Sequence, residues 1–205
     1  MNTSDDGPLW LNDEEHATWL VLSATMMKLP AALDAQLTRD AGLTFFEYMT
    51  LAVLSERADR TARMSELAGL ANGSLSRLSH VASRLESRGL LVRSPDPTDR
   101  RFTVARMTDA GWDAIEAAAP GHVRAVRELV VDRLGPGHGR VLREAFCSIL
   151  AVVDPSTLQA LSARGVEEAP GAACGTDREG ALDGAVGKGG CPGPALPSVR
   201  AAPAD

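Results

Sequence analysis

From Asn12 to Val153 the apolar residues recur mostly three and four positions apart in successive segments, and this rhythm breaks into short strand-like runs between Leu90 and Met107. Spacing of three and four is the mark of helices that each bury one stripe, whereas the short runs inside the break read as strands. A lone hairpin is not stable in water, so it must lean on the helices around it. The chain is therefore confined to a mainly α architecture with a small β-hairpin, an α+β fold. Helix starts are marked chemically. Asn12 with Glu15 and Thr44 with Glu47 are capping boxes, in which each partner satisfies a backbone N–H of the other. Ser74 and Thr108 offer single N-caps.

These signals predict six helices. The first covers 12–41, striped by Trp19, Leu22, Met26, Leu29, Leu33 and Leu37, bent at Pro30 and ended by Gly42. A second runs from Thr44 through Leu54 and a third from Ser65 to about Ala71, where Asn72-Gly73 marks a turn. The fourth opens at Ser74 and stops at Gly89. Leu90–Arg93 and Phe102–Met107 are strands around a Pro- and Asp-rich loop, Ser94 to Arg101. Thr108 opens a fifth helix that reaches about Leu134 with a kink at Pro120, and Val141, Leu142, Ala145, Ile149 and Val153 stripe a sixth. After Asp154-Pro155 the composition shifts. Gly, Ala and Pro dominate from Gly165 onward and no aromatic residue occurs, so 154–205 is expected to be a low-complexity, disordered tail, with 155–164 adding a turn or two of helix.

Charge is distributed unevenly. The whole chain carries −6, yet Arg57 to Arg106 holds ten arginines against five acids, a local +5. A positive field on a negative protein suits a polyanion approaching one face, and duplex DNA is the leading candidate. At 100° per residue the fourth helix places Leu75, Leu78, Val81, Ala82 and Leu85 on one side and Ser76, Arg77, His80, Arg84 and Ser87 on the other. Such a polar flank fits a major groove, where arginine pairs with guanine and serine or histidine reaches base edges or phosphates. With Ser74 and Ser79, the residues Ser76, Arg77, His80 and Arg84 form the candidate reading surface. The loop supplies a second candidate set, Asp99, Arg100 and Arg101. Asp99 stands two residues before Arg101, close enough to orient its guanidinium for a minor groove.

Other function classes find little support. No nucleophile elbow, phosphate loop or zinc-protease motif is present, so an enzyme is not expected. Cys147, Cys174 and Cys191 form no C-x-x-C pair, and neither a metal site nor a cofactor is expected. The chain has no apolar run of about 18 residues to span a bilayer, and a cytoplasmic protein without membrane contact is anticipated.

Residues 10–153 resemble the winged helix-turn-helix regulators of the multiple antibiotic resistance regulator (MarR) family. The resemblance rests on Met64-Ser-Glu-Leu-Ala68, Ser74-Leu-Ser-Arg-Leu-Ser-His80, Arg84-Leu-Glu-Ser-Arg-Gly-Leu90, Asp99-Arg-Arg101 and Met107-Thr-Asp-Ala-Gly111 in that order. It implies that Ser74–His80 opens the recognition helix, that Asp99 and Arg101 form the wing motif, and that 44–107 is the DNA-binding lobe. It also implies a homodimer knitted by helices 12–41 and 108–153 on a palindromic operator, most simply as a repressor. Dimerisation is expected independently, because the long striped helices carry more apolar surface than the wing can cover, and paired recognition helices would stand about 34–36 Å apart. The resemblance further implies release by a small aromatic effector between the dimer helices and the winged lobe, with Trp19, Met26, Phe45, Phe46, Tyr48 and Trp112 as candidate lining. Two alternatives stand beside this reading: a protein-interaction module with the same fold that does not bind DNA, and a redox-responsive regulator using the tail cysteines. The glycines of Pro136-Gly-His-Gly139, at the start of the sixth helix, depart from the family pattern and are expected to weaken one end of the dimer interface.

Overall fold

The computed structural model describes residues 10–70, 74–163 and 165–166. Helix α1 spans Asp13–Ala41, α2 Phe45–Ser55, α3 Met64–Leu70, α4 Leu75–Ser87, α5 Asp109–Leu129, α6 His138–Val153 and α7 Pro155–Ser162. Strands β1 (Thr61–Arg63), β2 (Leu91–Pro95) and β3 (Thr103–Met107) form one antiparallel sheet in the order β1-β3-β2. The fold is thus mainly α with a small winged sheet.

Both capping boxes form as their spacing requires. Asn12 accepts from the Glu15 N–H while Glu15 accepts from the Asn12 N–H, and Thr44 and Glu47 repeat the exchange. The first helix ends at Gly42, whose φ of 63° lies in the left-handed region where glycine is at least cost. Its backbone runs unbroken through Pro30, and α5 does the same through Pro120. Ser74 caps α4 by accepting from the Arg77 N–H.

The structure departs from the sequence expectations in three places. A third strand, β1, precedes α3 and pairs Thr61 with Arg106 through Arg63 with Val104. The wing loop is shorter than expected, because Ser94 and Pro95 continue β2 opposite Val104 and Thr103. Pro95 is tolerated there, since β2 is an edge strand and the missing N–H breaks no ladder. The fifth helix stops at Leu129, five residues early, and a 3-10 turn over Val131–Arg133 follows. The turn or two of helix expected over 155–164 is α7, which starts at Asp154-Pro155. Asp154 caps α7 by accepting from the Thr157 N–H and the Ser156 and Thr157 hydroxyls, which hold its carboxyl at a pKa of about 2. Pro at the first position of α7 needs no N–H partner, and Leu158 is buried. The Asn72-Gly73 turn and the tail beyond Val166, with Cys174 and Cys191, lie outside the described residues. Cys147 on α6 is buried as a free thiol. Gly137 serves as the left-handed cap of α6 (φ 81°), so only Gly139 falls within the helix.

The core is a leucine-rich cluster on which α2 is the hub. Leu51 and Leu54 of α2, Leu37 of α1, Leu67 of α3, Leu78 and Leu85 of α4, Leu91 of β2, Met107 of β3 and Ile115 of α5 are almost wholly removed from water. At the edge of this core the start of α5 rests on the strand-helix junction. Thr108 donates its hydroxyl to the Gly89 carbonyl, and its N–H bonds the Leu90 carbonyl. Gly111 makes the approach possible, because a Cβ there would lie 2.1 Å from the Leu90 carbonyl oxygen and 2.7 Å from Met107.

Two clamps then fix α4 against the α1–α2 corner. The buried Glu47 carboxylate accepts from Arg84 at 2.9 Å, and Arg88 donates to the Gly42 carbonyl at 3.0 Å. Two stability predictions follow from these contacts. Gly111→Ala, whose methyl meets backbone rather than a flexible side chain, should cost about 2–3 kcal/mol in urea unfolding. Arg84→Ala leaves a buried carboxylate without its cation, whereas Glu47→Gln leaves a half-exposed guanidinium that water can solvate. The first should therefore cost about 3 kcal/mol and the second clearly less, an order that denaturation of the two variants checks.

Candidate nucleic-acid interface

Helix α4 presents the flank that its sequence pattern required. Leu78, Val81, Ala82 and Leu85 are buried, while Ser74, Ser76, Arg77, His80 and Arg84 are exposed and Ser79 is half-buried. Leu75 is the exception on the apolar side, 52% exposed. It sits in the first turn beyond the edge of the core and borders a gap of about 250 Å³ between α4 and the wing, shared with Ser79, Arg93, Arg101 and Phe102.

The arginines of this face do not all stand alike. Arg77 lies over the Phe46 ring, its guanidinium carbon 4.6 Å from the ring centre, a cation–π contact that parks the side chain along the surface. Arg84, read from the sequence as a DNA contact, is engaged by Glu47 and reaches Thr44 at 3.5 Å. Its first task is to hold α4 to α2. Arg93 is likewise committed to Glu86 and Ser83, and the Glu86 carboxyl is held below its ordinary range by those hydrogen bonds.

The wing arginine is oriented as the Asp-x-Arg spacing predicts. Asp99 accepts from the Arg101 Nε at 2.9 Å, from its terminal nitrogen at 2.6 Å and from its backbone N–H at 3.1 Å. These bonds keep the Asp99 carboxyl ionised well below the usual carboxylate range and raise the Arg101 pKa. The guanidinium is nonetheless 84% exposed, so it is aimed rather than neutralised in place. Arg100 is exposed beside it.

A groove of about 880 Å³ runs between α1, the start of α2 and α4. One wall is Pro30, Ala31, Phe45 and Phe46, and the opposite wall is Ser74, Ser76, Arg77, His80 and Arg84. Asp34 also lines it, with one carboxylate oxygen accepting from the Phe45 N–H at 2.8 Å. Of the six residues expected around an effector, only Phe45 and Phe46 border this groove. Tyr48 is buried against His122, ring centres 4.4 Å apart, and burial raises its pKa. Trp112 is covered by Arg60, and Trp19 and Met26 lie half-exposed along the first helix. The six residues that the resemblance suggested lie on α1, α2 and α5, and the fold does not bring them to one cavity. His122 is buried with its Nδ1 unpartnered, and desolvation lowers its pKa.

Sequence reading missed Arg63, Asp96 and Phe102, which meet at the base of the wing, because their partnership is created by the unforeseen β1. Among the described residues no group of three or more His, Cys, Asp or Glu gathers where a metal ion could be held, and no helix is long and apolar enough to cross a membrane.

Comparison with known proteins agrees with this geometry. Residues 43–103 match the MarR family model. The structure of Sco3205, a MarR family transcriptional regulator from Streptomyces coelicolor solved in complex with DNA, is 40% identical, covers 74% of this chain and 95% of its own, and superposes with a TM-score of 0.70. AbsC, another such regulator from Streptomyces coelicolor, is 32% identical over 77% of this chain and 99% of its own, with a TM-score of 0.61. The transcriptional regulator MhqR of Bacillus subtilis (strain 168) is 31% identical over 90 residues, which span 43% of this chain and 60% of that protein. Near-complete coverage of two regulators above 30% identity, on the same three-stranded winged scaffold, places this chain in the MarR family of transcriptional regulators.

Proposed function

We propose that this protein is a cytoplasmic homodimeric repressor that reads a palindromic operator and leaves it when a small aromatic anion enters the groove beside α4. The observation that carries the reading is the pairing of an exposed polar flank on α4 with an exposed, carboxylate-aimed Arg101 on the wing. One element suits a major groove and the other the adjacent minor groove. In this reading Ser74, Ser76, Ser79 and His80 meet phosphates or base edges, and Arg77 leaves Phe46 to reach a base. Arg100 and Arg101 follow the minor groove, with Asp99 as the orienting acid. The solved complex of Sco3205 with DNA supports the same use of the shared scaffold.

Two-fold pairing is supported by the apolar surface left at both ends of the described chain. Trp10 just ahead of the first helix, Trp19, Leu20, Val21, Met26 and Met27 along it, and Phe146, Ile149, Val152 and Val153 on α6, are exposed. A soluble protein seldom leaves so much apolar surface in water, and covering it takes an interface on the order of 2,000 Å² or more. The groove supports the effector class. Phe45 and Phe46 offer a flat apolar wall, and Arg77, His80 and Arg84 offer cationic or hydrogen-bonding partners for a carboxylate opposite.

The DNA reading is tested by gel shift on a duplex that the wild-type protein selects from a random-sequence pool. Arg77→Ala and Arg101→Ala should each weaken binding by about 1–3 kcal/mol. Wild-type affinity should also fall steeply between low and physiological salt, as released counterions require. Retention of full affinity by both variants removes the reading. For the effector, Ala31→Trp places a bulky ring in the groove and leaves every residue of α4 and the wing unchanged. It should retain DNA binding but lose release by benzoate or 4-hydroxybenzoate, if those probes release the wild type at millimolar levels; continued release by the filled groove places the effector elsewhere.

A further inference from the structure

The geometry points to Arg63 as the residue that positions the wing: through Asp96 and Phe102 it sets the angle at which Arg101 meets DNA, without touching DNA itself. The inference rests on the reading of Arg101 as a wing contact and goes beyond it, since Arg63 belongs to neither the recognition helix nor the wing loop.

The argument begins with the short strand β1. Its last residue, Arg63, pairs with Val104 of β3 and sends its side chain toward the hairpin loop. There the Arg63 Nε donates to Asp96 at 2.7 Å, and its guanidinium carbon stands 4.5 Å from the centre of the Phe102 ring. Asp96 and Phe102 are the two ends of that loop, and the Asp96 N–H bonds the Phe102 carbonyl at 2.9 Å. A single side chain from the third strand thus touches both feet of the wing. A guanidinium does this well because it can donate in its plane while stacking through its face, which an ammonium cannot.

Asp96 in turn is buried and saturated. Besides Arg63 it accepts from the Thr98 N–H at 2.8 Å and the Thr98 hydroxyl at 2.6 Å, which turn the loop back on itself. Those bonds, and then the Arg63 charge, keep its carboxyl well below the usual carboxylate range. From the other foot, the Phe102 N–H bonds the Asp99 carbonyl at 3.0 Å, and the Asp99 carboxylate holds Arg101 by three donors. The contacts therefore run without a gap from Arg63, through both feet of the loop, to the exposed guanidinium of Arg101. Removing Arg63 leaves a buried carboxylate short of its cation and Phe102 without its cover, and the loop loses the reason to hold one orientation.

A double-mutant cycle tests this on the selected duplex, with thermal midpoint and dimer dissociation measured alongside. Arg63→Ala should weaken binding about tenfold in the wild-type background and less than about twofold in the Arg101→Ala background, because both changes remove one coupled element. Arg63→Lys should recover only part of the loss. Equal losses in both backgrounds would overturn the inference and make Arg63 an independent phosphate contact, and an unchanged Arg63→Ala would overturn it outright. If Arg63→Ala does not fold, Phe102→Leu, which removes the stacking platform and keeps the ion pair, enters the same cycle with the same criterion. Loss of effect from Arg101→Ala alone would instead sink the wing reading, so the two failures are separable.

Discussion

Two arginines, one on a helix and one at its end, hold the corner on which the rest of the molecule turns. Arg84 of α4 grips the Glu47 carboxylate and Arg88, the C-cap just beyond it, grips the Gly42 carbonyl, so the helix expected to read DNA is tied to the junction of α1 and α2. Glu47 can be buried there because every lone pair that matters is used: one oxygen accepts from Arg84 and the other from the Thr44 N–H and hydroxyl. The capping box and the clamp thus share one carboxylate. A residue that starts a helix also sets where the recognition helix lies relative to α1, and in a two-fold dimer built on α1 that placement fixes half-site spacing. Local folding and long-range geometry meet at one side chain.

What could be read from the chain follows the range of each interaction. The capping boxes at Asn12 and Thr44, the left-handed stop at Gly42 and the orientation of Arg101 by Asp99 are set within a few residues, and all appear as their spacing implied. The buried stripe of α4 was equally legible, because helical periodicity needs no knowledge of the partner. By contrast β1 is three residues long, too short to alternate visibly, and exists because β3 offers it a free edge. The seventh helix was legible as the turn or two of helix expected over 155–164, but not its cap: Asp154 followed by Pro155, with Thr157 three residues after the cap, starts it. The effector residues were the least legible. Six aromatic and sulfur side chains looked alike in sequence, and only tertiary packing sends Tyr48 against His122, Trp112 under Arg60, and Phe45 and Phe46 to the groove.

The arginine-rich stretch shows how a correct net charge can conceal a division of labour. Counting arginines between 57 and 106 pointed to a polyanion face. Most of those side chains are nevertheless occupied within the protein: Arg57 with Glu66, Arg60 on Trp112, Arg63 with Asp96, Arg84 with Glu47, Arg88 with Gly42 and Arg93 with Glu86. Only a minority is spread outward. Arg77 rests on a ring, which is readily exchanged for a base, and Arg101 is held by an acid that leaves it exposed. Internal use does not waste the positive charge, since a guanidinium paired on one edge still projects potential from the other.

The placement of Arg77, His80 and Arg84 has one more consequence, because the groove and the α4 surface are built from the same side chains. Under the proposed function, an anion seated against Phe46 would compete directly for Arg77 and would draw on Arg84, the partner of Glu47, loosening the clamp that orients α4. Both effects would oppose DNA binding, and neither would require a signal to travel through the core. Linkage then obliges DNA to weaken the anion by the same factor. The coupling would be short-ranged and its sign fixed by charge: a ligand that only filled the apolar wall would leave the arginines to the duplex. The carboxylate, rather than the aromatic ring, would therefore be the part of such an effector that carries the message.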